Sequence, residues 1–219
     1  MKKIFAREAP VTHEGKEISL PYYGPGAMGI GKPLKSILHM NPNLPIWLGT
    51  GTESNVRLTA EIADGWLASS FTADNSKPLL DAIRRGADRA GRDFDAIERQ
   101  AGGVVQFGDD LDKLIAPRKS GFAFEMGAMG SPEHNFYKDA YAMQGFGEAA
   151  NRVQSLWLER KREEAAAAVP DELVVKANLL GTEAMVKDRI RAYRDAGITS
   201  ISVSPAGETL GERVETLGR

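Results

Sequence analysis

Leu44-Pro45-Ile46-Trp47-Leu48-Gly49-Thr50-Gly51-Thr52 is a short apolar run that breaks on two glycines. Leu44 to Gly49 suits a buried strand, and Pro45 is tolerated only at its beginning. Gly49-Thr50-Gly51-Thr52 reads as a turn, with Thr52 where a helix N-cap belongs. Val56, Ala60 and Ala63 then share one helical face, and Asp64-Gly65 ends the helix. Trp66-Leu67-Ala68-Ser69-Ser70 reads as the next strand. Strand, glycine turn, helix, strand is the signature of a parallel βα unit.

Toward the C-terminus the alternation continues. Leu79, Leu80, Ile83, Ala87 and Ala90 recur at helical spacing until Gly91 stops them. Gly102 to Phe107 is a third strand. Residues 110 to 126 read as a helix with Leu111, Leu114, Ile115, Phe122 and Met126 on one face, kinked or interrupted by Pro117 and Gly121. Residues 132 to 168 read as two helices broken near Gly145 and Gly147, and Pro170 ends the Ala165 to Ala168 run. Thr182 caps a helix carrying Val186, Ile190 and Tyr193, which Gly197 closes. Ile198 to Pro205 is a β-branched strand, and a short helix at about 209 to 217 follows. The pattern predicts four parallel βα units, with strands near 45, 66, 103 and 200, plus a helical insertion.

Toward the N-terminus regularity fades. Pro10, Pro21, Pro25, Pro33 and Pro42, with Gly24, Gly26, Gly29 and Gly31, predict an irregular segment over residues 1 to 43. A small hairpin is expected over Val11 to Ile18, turning at Glu14-Gly15. One domain is expected over residues 1–219, since no repeat or low-complexity linker interrupts it.

Composition narrows the function classes. A net charge of -2, with both signs mixed along the helices, gives no nucleic-acid or anionic-membrane signal. The chain has no cysteine, which excludes disulfides, thiolate metal sites and cysteine nucleophiles and fits a cytoplasmic location. No apolar run reaches the roughly 18 residues of a membrane helix. Met1-Lys2-Lys3 leads into no apolar stretch of the kind a signal peptide needs.

The clearest local chemistry is again at Gly49-Thr50-Gly51-Thr52. A strand end, two glycines and a helix start gather backbone N–H groups at one point, and the helix dipole favours an anion there. Thr50 and Thr52 would add hydroxyl donors. No lysine follows the glycines, so this is not a Walker loop. The competing reading is a plain βα turn. His13, His39 and His134 have no acidic partner at metal or triad spacing and read as surface residues. Phe107, Met126 and Met129 fit a core better than a pocket. Glu159 to Glu164 reads as a solvated helix face. No metal site and no catalytic residue can be named.

Several stretches resemble the luciferase-like family, in particular its F420-dependent oxidoreductases. Leu44 to Gly49, Asn55-Val56-Arg57-Leu58 and Glu61 to Trp66 resemble that family's fifth strand, fifth helix and sixth strand. Met126-Gly127-Ala128-Met129-Gly130 with Asn135-Phe136-Tyr137-Lys138-Asp139 resembles a segment of one F420-dependent subgroup. Val169 to Val174, Leu180-Gly181-Thr182 and Ala196-Gly197-Ile198 resemble the approach to the eighth strand.

The resemblance implies an α/β fold of partial TIM (β/α)8 type, about four C-terminal βα units without the family's N-terminal ones. It implies coenzyme F420, with FMN as the alternative, and hydride transfer to or from a small organic substrate; an FMN monooxygenase is the rival activity. It assigns Gly49, Thr50, Gly51 and Thr52 to the phosphate-bearing part of the cofactor. Ser69 and Ser70, at a strand's C-terminal end, join the same site, as does Ser204 with weaker support. The family's acid–base residues lie on strands with no counterpart here. A non-catalytic fragment, either a truncated gene product or one piece of a split barrel, is therefore the third reading, and the isolated chain is expected to show little or no turnover. Four strands cannot close a barrel, so those near 45 and 203 are expected at open edges. A homo-oligomer or a separate N-terminal half would then cover them.

Overall fold

The computed structural model describes all residues from Met1 to Arg219 as two compact units, Met1–Pro45 and Ile46–Arg219. The first unit holds helix α1 (Lys2–Ala6) and a two-stranded antiparallel hairpin, β1 (His13–Glu14) and β2 (Ser19–Leu20). The expected hairpin is present, but its turn runs over Gly15 to Ile18 rather than sitting on Glu14-Gly15. The rest of this unit is irregular, as its prolines and glycines require.

The second unit is built on a five-stranded parallel sheet: β3 (Trp47–Thr50), β4 (Gly65–Ala68), β5 (Glu98–Phe107), β6 (Leu179–Gly181) and β7 (Ser200–Pro205). The expectation of four strands missed β6, whose three residues are too few for a legible alternation. β3 pairs β4, and β4 pairs the start of β5. Gln100 pairs both Leu67 and Ser200, so β4 and β7 flank β5 on opposite sides. Val105 pairs both Leu179 and Pro205, which puts β6 beyond β4 on the same side. β3 and β7 lie at edges of the sheet, as the strand count implied, and β6 leaves a further short edge.

Helices α2 (Glu53–Ile62) and α3 (Lys77–Arg89) follow β3 and β4. Their apolar faces are those the spacing predicts, except that Ala90 lies past the end of α3 and is exposed: Val56, Ala60, Leu79, Ile83 and Ala87 are buried around Trp66. Trp66 is fully buried, and its indole N–H donates to the Thr50 carbonyl at 2.9 Å. That bond ties the end of β3 to β4 where the turn begins.

Between β5 and β6 lie α4 (Leu111–Ile115), α5 (Lys119–Ala128), α6 (Phe136–Tyr141), α7 (Gly147–Leu158), α8 (Arg162–Ala167) and α9 (Asp171–Lys176). They close a second core around Met126, Val153, Leu156 and Leu173. Pro117 breaks α4 from α5 as expected, whereas Gly121 does not interrupt α5. The expected pair of helices over 132–168 is three. The chain kinks at Gln144-Gly145, where Gly145 has φ 92°, and breaks again before α8, where Arg160 has φ 66°. α10 (Glu183–Asp195) and α11 (Leu210–Leu217) complete the unit. α10 buries Val186 and Tyr193, but Ile190 is exposed, so its face is narrower than its spacing suggests.

Two close approaches dictate glycine. A Cβ on Gly102 would lie 1.7 Å from the Ser202 carbonyl oxygen, and one on Gly103 would lie 2.4 Å from that of Ala177. Gly86 of α3 does the same for helix packing: its Cβ would meet the Arg57 carbonyl oxygen of α2 at 2.1 Å. Backbone cannot yield as a side-chain tip can. Gly86→Ala should therefore cost about 1–3 kcal/mol, the usual range for forced overpacking. Urea unfolding with a lowered midpoint and unchanged slope would register it; an unchanged midpoint would refute the packing argument.

Candidate functional site

The residues picked out beside the glycine turn meet in space. Gly49, Thr50, Gly51, Thr52, Ser69 and Ser70 all line one pocket of about 200 Å3, together with Asn55, Phe136, Tyr137 and Ala140. The C-terminal ends of β3 and β4 supply the first six; α2 and α6 supply the rest. A larger cleft of about 600 Å3 adjoins it and shares Ser69, Ser70 and Tyr137. Its floor is Gly102, Gly103 and Val104 of β5, and α5 forms a wall. Ser204 reaches this cleft and not the smaller pocket.

The turn differs from its expected form in two respects. Gly49 and Thr50 belong to β3 itself. Thr52 occupies the N-cap position of α2 but makes no side-chain cap, its hydroxyl lying 3.5 Å from that of Ser54. The first-turn N–H groups of α2 thus receive nothing from Thr52. Glu53 puts a carboxylate in that turn, and Arg85 engages it at 2.6 Å.

Thr50 is not the donor it was expected to be. The Thr59 hydroxyl donates to the Asn55 carbonyl at 2.8 Å, so the Thr50 hydroxyl, 3.0 Å from it, must donate to Thr59. Its single proton is committed, and only lone pairs face the pocket. Thr52 keeps its proton available.

Ser70 stands where pocket and cleft meet. It has φ 52°, an uncommon backbone region for a residue other than glycine. Its Oγ is buried and makes no hydrogen bond of good geometry, although it lies near enough to the Tyr141 hydroxyl to pull that phenol's pKa down slightly against the larger upward shift. Strain and an unsatisfied hydroxyl at one residue both cost stability and mark a position shaped by something other than folding.

A fully buried amide holds that position. Gln144 Oε1 accepts from the Thr72 N–H at 2.6 Å and from the Thr72 hydroxyl at 3.0 Å. Its Nε2 donates to the Ala140 carbonyl at 2.9 Å and to the Ser70 carbonyl. Asn75 reaches back to the Gln144 carbonyl at 2.6 Å. The kink after α6 is thereby fastened to the loop after β4.

Polar groups of the cleft were not legible in the sequence. Tyr141 donates to Glu125 Oε2 at 2.6 Å. Burial pushes the Glu125 pKa up, although that hydrogen bond opposes the shift. Burial first, then the neighbouring carboxylate, pushes the Tyr141 phenol well above its ordinary range. Arg118 lines the same cleft. Nothing separated these residues from an amphipathic face, because the carboxylate and the phenol lie 16 positions apart. Asn135, which the subgroup pattern marked, caps α6 and donates to the Glu125 and Met126 carbonyls. Its role is to join α5 to α6. Phe136 and Tyr137 line the smaller pocket, Met126 is core, and Phe107 and Met129 lie outside both cavities. His13, His39 and His134 are exposed.

The chain matches the family model described as luciferase-like monooxygenase over residues 1–200. A Mycobacterium tuberculosis protein provisionally named a coenzyme F420-dependent oxidoreductase is 36% identical over 210 residues, which is 93% of this chain and 60% of that protein. The 5,10-methylenetetrahydromethanopterin reductase of Methanopyrus kandleri is 25% identical over 211 residues, or 96% of this chain and 56% of the reductase. Among solved structures, the coenzyme F420-dependent tetrahydromethanopterin reductase from Methanopyrus kandleri superposes with a TM-score of 0.70 at 22% identity, covering 100% of this chain and 58% of that one. The chain thus spans no more than 60% of these relatives and has the fold of part of a luciferase-like barrel. No helix is long and apolar enough to cross a membrane.

Two outcomes test this site. Gln144→Leu keeps the volume but strands the Thr72 N–H and the Ser70 carbonyl. Each buried orphan costs about 1–3 kcal/mol, so denaturant unfolding should show a loss of at least about 2 kcal/mol. A smaller loss would mean the bracket is not needed.

The second concerns pH. A raised pKa in the fold means the folded state binds the Glu125 proton more tightly than the unfolded chain. Its stabilising share is complete below the ordinary glutamate pKa of about 4.3 and is lost as pH rises through the raised value. Glu125→Gln should flatten that decline in a melting-temperature series, and an unchanged slope would contradict the burial argument.

Proposed function

Because the chain belongs to the luciferase-like monooxygenase family, we propose that it binds coenzyme F420 and serves hydride transfer between that cofactor and a small organic substrate. The observation that carries the proposal is the junction at Ser70: a residue other than glycine in the left-handed region, where the pocket at the start of α2 meets the cleft. A ligand that spans both cavities would run along Ser69 and Ser70, where the two linings meet.

When bound, F420 supplies the hydride chemistry itself. This chain's residues bind and orient. The N–H groups opening α2 and the Thr52 hydroxyl hold the phosphate, with the positive end of the helix behind them. Gly51 leaves room for that approach, and Ser69 and Ser70 line the path toward the cleft. The pocket of about 200 Å3 suits a phosphate and its linker, whereas the cleft of about 600 Å3 has the size of a small-molecule site. Glu125 and Tyr141 share a proton along the cleft's wall, between Oε2 and the phenol oxygen, within reach of a bound substrate. The proposal includes a cytoplasmic location, supported by the lack of cysteine, and cover for the sheet edges at β3 and β7 from a second copy or a separate N-terminal half.

Fluorescence titration of the 219-residue chain with F420 and, in parallel, FMN tests the reading. F420 should bind and FMN should bind more weakly. Gly51→Val should lower F420 affinity at least ten-fold by filling the pocket. Its Cβ would sit 3.5 Å from that of Ala140, an ordinary contact, and its φ lies outside the left-handed region, so the melting temperature should hold. Preference for FMN would move the reading to the flavin branch; no binding of either cofactor would overturn it.

A further inference from the structure

We propose that the cleft over β5 recognises an apolar carboxylic acid, and that Arg118 binds its carboxylate. The inference rests on the cleft being the substrate site. Its lining holds two residues of full charge, Arg118 and Glu125. They do not serve each other: Glu125 takes its hydrogen bond from Tyr141, and neither shifts the other's pKa. Seven residues apart along α5 and its lead-in, they stand about two turns, or roughly 10 Å, from each other.

Arg118 is half-buried yet has no carboxylate partner. Its Nη2 donates to Gln106 Oε1 at 2.7 Å and its Nη1 to the Leu114 carbonyl, both neutral acceptors. Its Nε is buried without any partner. Three of its five N–H groups are therefore unused. Burial alone depresses its pKa, with no anion to offset the cost. Arg92 and Lys138 also rest on neutral acceptors, the Ala60 carbonyl and Gln154 Oε1, but neither lines the cleft, and other part-buried cations are paired. Lys119 faces Asp171 at 2.6 Å, Lys176 faces Glu172 at 2.6 Å, and even Arg99, deep in β5, has Asp95 at 3.7 Å.

The gap in Arg118's pairing points to an incoming anion, and the guanidinium fork suits a carboxylate. The rest of the cleft is suited to an apolar body. Phe71, Phe122, Val104 and Pro117 line it, and Gly121 leaves open space beside Phe122. A substrate held by its carboxylate at Arg118 would present atoms two helical turns away to the Glu125–Tyr141 pair. The specificity is thus for acids whose reacting carbon is separated from the carboxylate by an apolar spacer.

Isothermal titration of the full chain with 4-phenylbutanoate and with its neutral amide reads this out. The acid should bind at least ten-fold more tightly. Arg118→Leu should abolish the preference, and Arg118→Lys should keep part of it. Should the leucine variant not fold, phenylglyoxal labelling of the unaltered chain, mapped by mass spectrometry, serves instead: the acid should slow modification of Arg118 and the amide should not. Equal affinities, no binding of either probe, or a preference that survives Arg118→Leu would overturn the proposal. Loss of F420 binding in Arg118→Leu would also overturn it, by giving the arginine to the cofactor. Failure of the unaltered chain to bind F420, with the preference for the acid intact, would remove the cofactor reading alone.

Discussion

Four hydrogen bonds converge on the side chain of Gln144, and the meeting of the two cavities depends on them. One amide, fully enclosed, uses both its oxygen and its nitrogen to tie the loop after β4 to the kink after α6. It holds the Ser70 carbonyl directly and, together with Asn135 and the Tyr141–Glu125 bond, keeps α6 over the glycine turn. A buried polar network of this kind is tolerable only when every member is satisfied. Gly145, next in the chain, supplies the positive φ that lets the amide point inward.

The second dependency is the separation of cores. The βα units pack around Trp66 and the inserted helices around Met126, with their own sets of buried side chains. The cleft lies between these two bodies, so its wall on α5 and its floor on β5 belong to different packing units. Gln144, the Arg118–Gln106 hydrogen bond and the pairing of β5 with β6 join them.

Much of this was legible in the sequence, for reasons that can be named. The βα alternation at residues 44–70 was readable because both strands begin in apolar runs, Gly51 stands where the chain turns into α2 and Asp64-Gly65 ends that helix. The faces of α2 and α3 were readable because their buried residues keep strict helical spacing. The six pocket residues were within reach because strand ends in parallel sheets converge, and the family resemblance named the same loop. β6 was not readable, since three residues carry no period. Nor was the commitment of the Thr50 hydroxyl, which follows from a contact with Thr59 nine residues on and across a turn. Gln144, Glu125 and Arg118 escaped for a common reason. Each is a polar residue in a helix, where the solvated reading is usually right, and only tertiary packing turns these three inward.

The paired glycines of β5 have one further consequence. No side chain can grow from Gly102 or Gly103, because neighbouring backbone occupies the space. At these two positions the bottom of the cleft is bare peptide that substitution cannot redraw. The charged groups that face it stand on the opposite side, on the stripe of α5 and its lead-in that carries Arg118, Phe122 and Glu125. Descendants of such a chain would change diet by rewriting one helical stripe, while the strands beneath stay constant. Divergence among close relatives should therefore be concentrated there, on a segment whose replacement leaves the sheet untouched.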